Sequence, residues 1–429
     1  MHKHFILYGA GGYAKTDLEF FIKNEIVADC FVDADESKHF TEIASNCGVL
    51  YDVLPFDEAL VRYPGAGICV TSRMYFPQIC EYLVSKAIPL SRIYIVTGNS
   101  LSSASDKQVP KQCKYIGNYL YIDGTGIATC CMQGYNFFLS STGNIKDDIV
   151  NYNEKFEILK NNLNEGMLTH CTGCPMLYPG QSEGTSSISH VNISSGVPGQ
   201  RDCNFKCIYC VYDGFSESKD WDARSDNVVE IMQHICELPS VESMTFASGE
   251  IGISPYRKEI IELWKKKKLK GQIFTNASMY IDELEDLINE GFVRINVSLD
   301  AGTAETFAKI KRVKCFEKVV ANLERYAVKG DCIDLKYILL DGLNCDEVNI
   351  DGFLGIAKKL NAHVVVSRDV SVSLESLSER EEFALKRLTE QCVLQDIPIR
   401  YQKFYLSAAS DMIDDRLWCY LMPIVREGG

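Results

Sequence analysis

Between residues 190 and 367 the chain alternates short apolar runs with amphipathic stretches of helix length, and that alternation leaves few folds open. The strand-like runs are 190–194, 243–247, 272–275, 294–299, 335–340 and 363–367; helical patterns fall at 227–237, 256–269, 281–290, 316–328 and 348–360. Strands separated by helices of this length pair in parallel through right-handed crossovers. An α/β fold with a parallel sheet of six units is expected, its open edge covered by the later run 397–405. In such sheets chemistry gathers where the strands end, so the residues that follow each run matter most.

After the first run comes Cys203-Asn204-Phe205-Lys206-Cys207-Ile208-Tyr209-Cys210. Three thiolates on one short loop can bind three irons of a four-iron cubane and leave the fourth open to an external ligand. Tyr209 would add a flat face beside that iron. Zinc is the other reading, but zinc asks for four ligands, and residues 211–224 contain neither Cys nor His. The next runs end in Ser248-Gly249-Glu250, Thr275-Asn276-Ala277 and Ser298-Leu299-Asp300, with Arg312 beyond.

The C-x3-C-x2-C spacing with an aromatic residue before its third cysteine resembles the radical S-adenosylmethionine (SAM) superfamily, and six units resemble that family's partial (β/α)6 barrel. The resemblance implies that Cys203, Cys207 and Cys210 hold a 4Fe–4S cluster whose open iron chelates the amino and carboxylate groups of SAM. An electron from the cluster would then cleave SAM to a 5′-deoxyadenosyl radical. It further implies that Ser248, Gly249 and Glu250 hold the SAM amino group and that Ser298 reaches its ribose or carboxylate. Asn276 lies at the neighbouring strand end, and Arg312 would pair with the carboxylate, as a guanidinium does well. Plainer roles stay open: Ser298 and Asn276 as strand-end caps, Asp300 as a loop holder, Arg312 as a solvated helix residue.

A second pattern opens the chain. A strand signal at 5–9 runs into Gly9-Ala10-Gly11-Gly12-Tyr13-Ala14, then a helix-like stretch 15–23 and a strand 28–32 that ends at Asp33. Glycines there permit a tight turn and close backbone approach, the helix N-terminus faces a phosphate, and Asp33 lies where a ribose-binding acid is expected. With further strands at 67–71 and 92–96 flanking a helix near 77–86, a doubly wound, Rossmann-like domain is expected over 1–105. Its Gly-Ala-Gly-Gly-Tyr-Ala-Lys and Phe-Val-Asp-Ala-Asp stretches resemble the nucleotide-sugar-binding domain of sialic-acid and bacillosamine-type sugar O-acyltransferases. That resemblance implies a nucleotide sugar bound near Gly9, Gly11, Gly12 and Asp33. NAD and an empty pocket are the alternatives.

Between these two patterns lie Cys113, the pair Cys130-Cys131, and His170-Cys171-Thr172-Gly173-Cys174. A strand-turn-strand signal near Gly124, a cysteine pair, a helix-like 154–166 and a C-x2-C resemble the SPASM and twitch modules of radical SAM enzymes. The resemblance implies a second, auxiliary 4Fe–4S cluster on Cys113, Cys131, Cys171 and Cys174, with Cys130 the rival of Cys131 and a four-cysteine zinc site the other filling. The module spans 106–184 and precedes the core at 185–429, whereas in most relatives it follows.

Composition narrows the setting. Eighteen cysteines with no secretory leader before the first strand point to a reducing, cytoplasmic environment and to metal ligation over disulfides. A net charge of −14 argues against nucleic acid and anionic membranes as partners. The one basic run, Lys265–Lys268, closes a predicted helix and suits its dipole. No apolar run reaches membrane-spanning length. The resemblances together imply a radical SAM enzyme of oxidoreductase or epimerase type, reduced by a protein such as flavodoxin or ferredoxin, with Cys345 a candidate hydrogen donor. The expected substrate is a sugar, nucleotide sugar or cell-envelope polysaccharide precursor. A SPASM-type modifier of peptides and a non-catalytic iron–sulfur redox protein are the competing readings; an NAD-dependent dehydrogenase would explain only the first hundred residues.

Overall fold

A computed structural model describes residues 4–11, 14–72, 76–97, 100–106, 109–113, 115–123, 126–128, 138–140, 142–167, 169, 171, 177–182, 187–194, 203–210, 226–329, 331–369, 376–402, 406, 409 and 412–419. The chain divides into two compact units, one of 1–117, 132–137 and 153–186, the other of 118–131, 138–152 and 187–429.

The first unit is built on β1 (His4–Tyr8), α1 (Ala14–Lys23), β2 (Val27–Val32), β3 (Glu42–Ala44), β4 (Leu50–Leu54), α2 (Phe56–Arg62), β5 (Gly67–Val70), α3 (Phe76–Ser85), β6 (Ile93–Thr97) and β7 (Ser100–Ser103). Its sheet runs β3-β4-β2-β1-β5-β6-β7. Strands β4, β2, β1, β5 and β6 are parallel, while β3 and β7 are antiparallel edges. Both faces are covered, which is why β1 reads as an unbroken apolar run. Phe5 and Leu7 pack with Leu18 and Phe21 of α1; Ile6 and Tyr8 pack with Phe56, Ala59, Phe76 and Leu83 of α2 and α3.

Strand β8 (Lys111–Gln112) comes next. The second unit then supplies β9 (Tyr119–Asp123), β10 (Gly126–Ala128) and β11 (Phe138–Ser140), followed by α4 (Ile145–Asn164), which runs from the second unit into the first. Strand β12 (Tyr178–Pro179) pairs antiparallel with β8 inside the first unit.

The main sheet continues through β13 (His190–Ser194), α5 (Val228–Glu237), β14 (Ser243–Ser248), α6 (Arg257–Lys267), β15 (Lys270–Phe274), α7 (Glu285–Asn289), β16 (Val293–Ser298), α8 (Ala304–Lys311) and α9 (Phe316–Ala327). It closes with β17 (Ile333–Leu339), α10 (Glu347–Lys359), β18 (His363–Arg368), α11 (Glu379–Leu394), β19 (Ile399–Gln402) and β20 (Trp418–Cys419). The order is β11-β10-β9-β13-β14-β15-β16-β17-β18-β19-β20. Strands β9 and β13 through β20 are parallel; β10 and β11 form an antiparallel flank. The helices start where the sequence caps them: Asn227 and Ser378 each form a capping box, with Glu230 and Glu381 respectively. The basic run ends α6 with Lys268 in the left-handed conformation, and two of its members are engaged, Lys265 with Asp286 and Lys267 with the Leu238 carbonyl.

At the seam where β9 meets β13 and β14, His190 is buried. It stacks on Tyr119 at 4.9 Å and hydrogen-bonds Ser243 and Thr245. Burial lowers its pKa from the usual 6.5 to about 4, so the folded protein favours the neutral ring. Below the unfolded value the unfolded chain binds the extra proton first, and stability therefore falls as pH drops from about 6.5 toward 4, by on the order of 3 kcal/mol. Thermal midpoints across that range should show this loss, and a His190→Gln variant should lose that part of the slope.

Candidate active site

The ends of β15 and β16 meet at the three-cysteine loop. Cys203, Cys207, Tyr209 and Cys210 are half-buried, while Phe205 points inward, 5% exposed, edge-on to Phe307 of α8 at 6.1 Å. Burying that ring is worth roughly 2 kcal/mol. The loop's backbone is fastened to the end of the same helix: Lys206 N donates to the Lys311 carbonyl at 3.3 Å and Ile208 N to that of Ile310 at 3.0 Å. Cys210 N donates to the Cys207 carbonyl at 3.0 Å, closing a turn between the second and third cysteines.

The end of β15 holds the other side of the loop. Asn276 Nδ2 donates to Asn204 Oδ1 at 2.7 Å and lies 3.9 Å from Cys203 Sγ; Asn204 Nδ2 donates in turn to Ser278 Oγ at 2.9 Å. Asn276 is thus the expected site residue that faces the cysteines most directly. Past Ser298, at the end of β16, stands Asp300, whose Oδ2 accepts from the Tyr209 hydroxyl at 2.6 Å.

Glu250 is 1% exposed and has its carboxylate occupied by the protein. Oε1 accepts from Gly252 N at 2.8 Å and Thr275 Oγ1 at 2.7 Å, and Oε2 accepts from Asn276 N at 2.5 Å. Burial raises its pKa despite these donors. In this chain the carboxylate ties the end of β14 to the end of β15, and so supports the loop that carries Asn276. Gly249 takes a left-handed φ of 76° beside it; the side chain of Ser248 lies outside the described residues.

Arg312 is exposed and forms the left-handed cap of α8, with φ 57°. Its neighbour Lys311 is the cation that reaches the strand ends. Lys311 is 2% exposed, donates to Asp300 Oδ2 at 2.5 Å and also donates to the Tyr209 hydroxyl. Sequence reasoning missed Lys311 because lysine is ordinarily solvated; the available signal was its place one turn after Phe307 on the buried face of α8. Cys345, past the end of β17, is buried, and burial pushes its thiol up to about 12.

The residues fit an iron–sulfur cluster. Among the described residues no three Cys, His, Asp or Glu donors converge on a single-ion site; a cubane spreads three thiolates over three irons and needs no such convergence. An amide donor beside a ligating sulfur is the kind of outer contact that tunes such clusters. Burial raises the Cys207 thiol, with the Lys311 charge opposing, and ligation would release its proton. Of the auxiliary set, Cys113 is half-buried and Cys171 buried, both in the first unit; Cys130, Cys131 and Cys174 lie outside the described residues.

At the N-terminal turn, Gly9 has φ +115°, and a Cβ there would sit 2.7 Å from Thr71 Oγ1, whereas a Cβ on Gly11 would meet nothing within 4 Å. Asp33 already has partners: Ala10 N at 2.7 Å, Asp35 N at 2.9 Å and Lys38 Nζ at 3.1 Å. Burial works against ionisation, but these donors hold the carboxyl below its usual range. Asp33 therefore braces the turn. Gly12 lies outside the described residues. Gly9→Ala combines a disfavoured φ with a steric overlap and should cost about 2 kcal/mol or more, read as a lowered first transition in calorimetry of the whole chain.

Residues 197–351 match the family model of the Radical SAM superfamily. The chain is 30% identical over 166 residues to the "Probable GTP 3',8-cyclase" of Methanothermobacter marburgensis, covering 37% of this chain and 51% of that protein. It is 28% identical over 162 residues to the "GTP 3',8-cyclase" of Clostridium botulinum, covering 37% and 50%. The chain thus spans about half the length of these curated relatives. Among solved structures, Streptococcus suis SuiB bound to S-adenosylmethionine aligns at a TM-score of 0.43 and 11% identity, over 64% of this chain and 60% of that one; at that level nothing further about this chain follows from it. No helix among the described residues is long and apolar enough to cross a membrane. Over residues 197–351, then, the chain is similar to the Radical SAM superfamily, a family that implies a 4Fe–4S cluster and SAM.

Proposed function

We propose that the chain cleaves SAM reductively at the Cys203–Cys207–Cys210 loop and takes hydrogen from a carbon of a sugar, nucleotide sugar or envelope polysaccharide precursor, with oxidation or epimerisation as the net result. The observation that carries this reading is the loop's attachment: its backbone is bonded to α8, and its side chains reach the ends of β15 and β16. When bound, the cluster supplies one electron to SAM, which yields methionine and a 5′-deoxyadenosyl radical. The chain's residues do the holding. The three cysteines would ligate, Asn276 faces Cys203, and Tyr209 is fixed by its hydroxyl. Ser298, at the end of β16, and Arg312, which caps α8, would supply contacts to SAM.

Support for a sugar nucleotide comes from the first unit. Its five parallel strands run third-second-first-fourth-fifth in chain order, the Rossmann-like arrangement that binds nucleotides at the switch point beside the first strand. The turn at Gly9 is built there, with open space over Gly11. Relatives named for acting on GTP fit a nucleotide-bearing substrate. A second cluster on Cys113, Cys131, Cys171 and Cys174 would accept an electron from the substrate radical. The test is isotope transfer: candidate nucleotide sugars deuterated on the sugar ring, and GTP, are incubated with reduced protein and SAM. Deuterium in 5′-deoxyadenosine from a nucleotide sugar supports the reading; transfer from a peptide and from none of these overturns the substrate class.

A further inference from the structure

Among the described residues, the ion pair behind the cysteine loop is the most deeply buried in the second unit. Lys311 is 2% exposed and Asp300 fully buried, with their charged atoms 2.5 Å apart. Desolvating an ammonium and a carboxylate costs several kcal/mol each, so such a pair persists only where its remaining hydrogen bonds are satisfied. Here they are. Lys311 also donates to the Tyr209 hydroxyl, which in turn donates a hydrogen bond to Asp300 Oδ2, and the ammonium lies 4.8 Å from the tyrosine ring centroid. The far oxygen of Asp300 accepts from Ile338 N at 2.7 Å, and Asn344 bridges the Asp300 and Ile338 carbonyls. Asp300 adopts φ 58°, a conformation a non-glycine residue holds only when its surroundings impose it.

We infer that Lys311 is a positioning residue: with Asp300 it locks the Tyr209 side chain, and with it the arc from Cys207 to Cys210, against the ends of β16 and β17. The same residue holds the loop twice, through its carbonyl on Lys206 N and through its ammonium on Tyr209. A cation wanted only for the end of α8 would not need burial, since exposed Lys309 already stands there, paired with Glu305. The consequence for a cluster rests on the function proposed above; the lock itself does not.

Two measurements keep those apart. In cluster-free protein, amide hydrogen exchange over residues 205–210 is compared among wild type, Tyr209→Phe, Lys311→Met and Lys311→Arg. Losing a charge-assisted hydrogen bond should speed exchange of the loop about tenfold in Tyr209→Phe and Lys311→Met. Lys311→Arg should recover most of the protection, and strands β16 to β18 should be unchanged in Tyr209→Phe. Tyr209→Phe keeps the ion pair, so it carries the test if Lys311→Met does not fold. Wild-type exchange in the loop of Tyr209→Phe, or equal acceleration across the whole sheet, would overturn the lock. In iron-loaded protein, Tyr209→Phe should lose its cluster colour to a chelator about tenfold faster, with an altered paramagnetic signal on reduction. Absence of any cluster in wild type would refute the proposed function and leave the exchange result to decide the lock.

Discussion

Replacing Cys203, Cys207 and Cys210 together by alanine is expected to remove about four irons per chain, from about eight to about four, since each cubane holds four. The remaining four would belong to the set Cys113, Cys131, Cys171 and Cys174. The three cysteines stand on a loop anchored by Phe205, Asn204 and two backbone bonds, none of which involves sulfur. The variant should therefore keep its fold and its thermal midpoint in the cluster-free state. Iron and sulfide analysis of anaerobically purified protein checks the number, and circular dichroism checks the fold. A fall to zero would mean that both iron sites depend on this loop, and no fall would place the iron elsewhere.

Glu250→Gln should have the next largest effect. The carboxylate receives three donors while 1% exposed. A glutamine offers one oxygen and turns an NH2 group toward at least one of those donors. Hydrogen bonds to a charged group are worth about 1.5–3 kcal/mol each, and an unmatched buried donor adds its desolvation cost. The expected loss is on the order of 3 kcal/mol, centred on the ends of β14 and β15. Because Asn276 N is one of the three donors, SAM affinity should fall along with stability, by at least about tenfold. Denaturant titration and SAM binding on the same sample test this. Lowered stability with unchanged SAM binding would make Glu250 a brace with no bearing on the ligand.

Much of this architecture was legible because buried parallel strands must be apolar throughout. The runs read at 190–194, 243–247, 294–299 and 363–367 lie within a residue or two of β13, β14, β16 and β18. The covering run near 397 is β19, parallel to β18. Elements that depend on tertiary contacts were harder. Helix α8 is only eight residues long and too short to show a periodicity. Helix α11 has a charged sequence that hides its buried stripe of Ala384, Leu385 and Leu388, although the Ser378–Glu381 capping box marks its start. The stretch 281–290 resolves into a single 3₁₀ turn and the five-residue α7. Strands β9 to β11, read as part of a separate cysteine module, extend the main sheet.

At the site, residue types carried the chemistry and the fold supplied their partners. Spacing singled out the three cysteines as candidates, and strand ends pointed to Asn276 and Ser298. What the carboxylates do was not legible. Glu250 and Asp33 stand where ligand contacts were expected, yet each is filled by backbone N–H groups and side chains of its own chain. The cation buried at the strand ends is Lys311, one position before the exposed Arg312. Only the cap geometry of α8 turns one inward and the other out.

If the loop starts radical chemistry on SAM, product formation reports it directly. Reconstituted protein is incubated anaerobically with SAM and dithionite, and 5′-deoxyadenosine and methionine are quantified beside the Cys203/Cys207/Cys210 triple alanine variant. Equal amounts of both products from wild type, with at least a hundredfold less from the variant, about the loss expected when the reacting group is gone, is the predicted result. No 5′-deoxyadenosine from iron-loaded wild type, or equal amounts from both proteins, would contradict it.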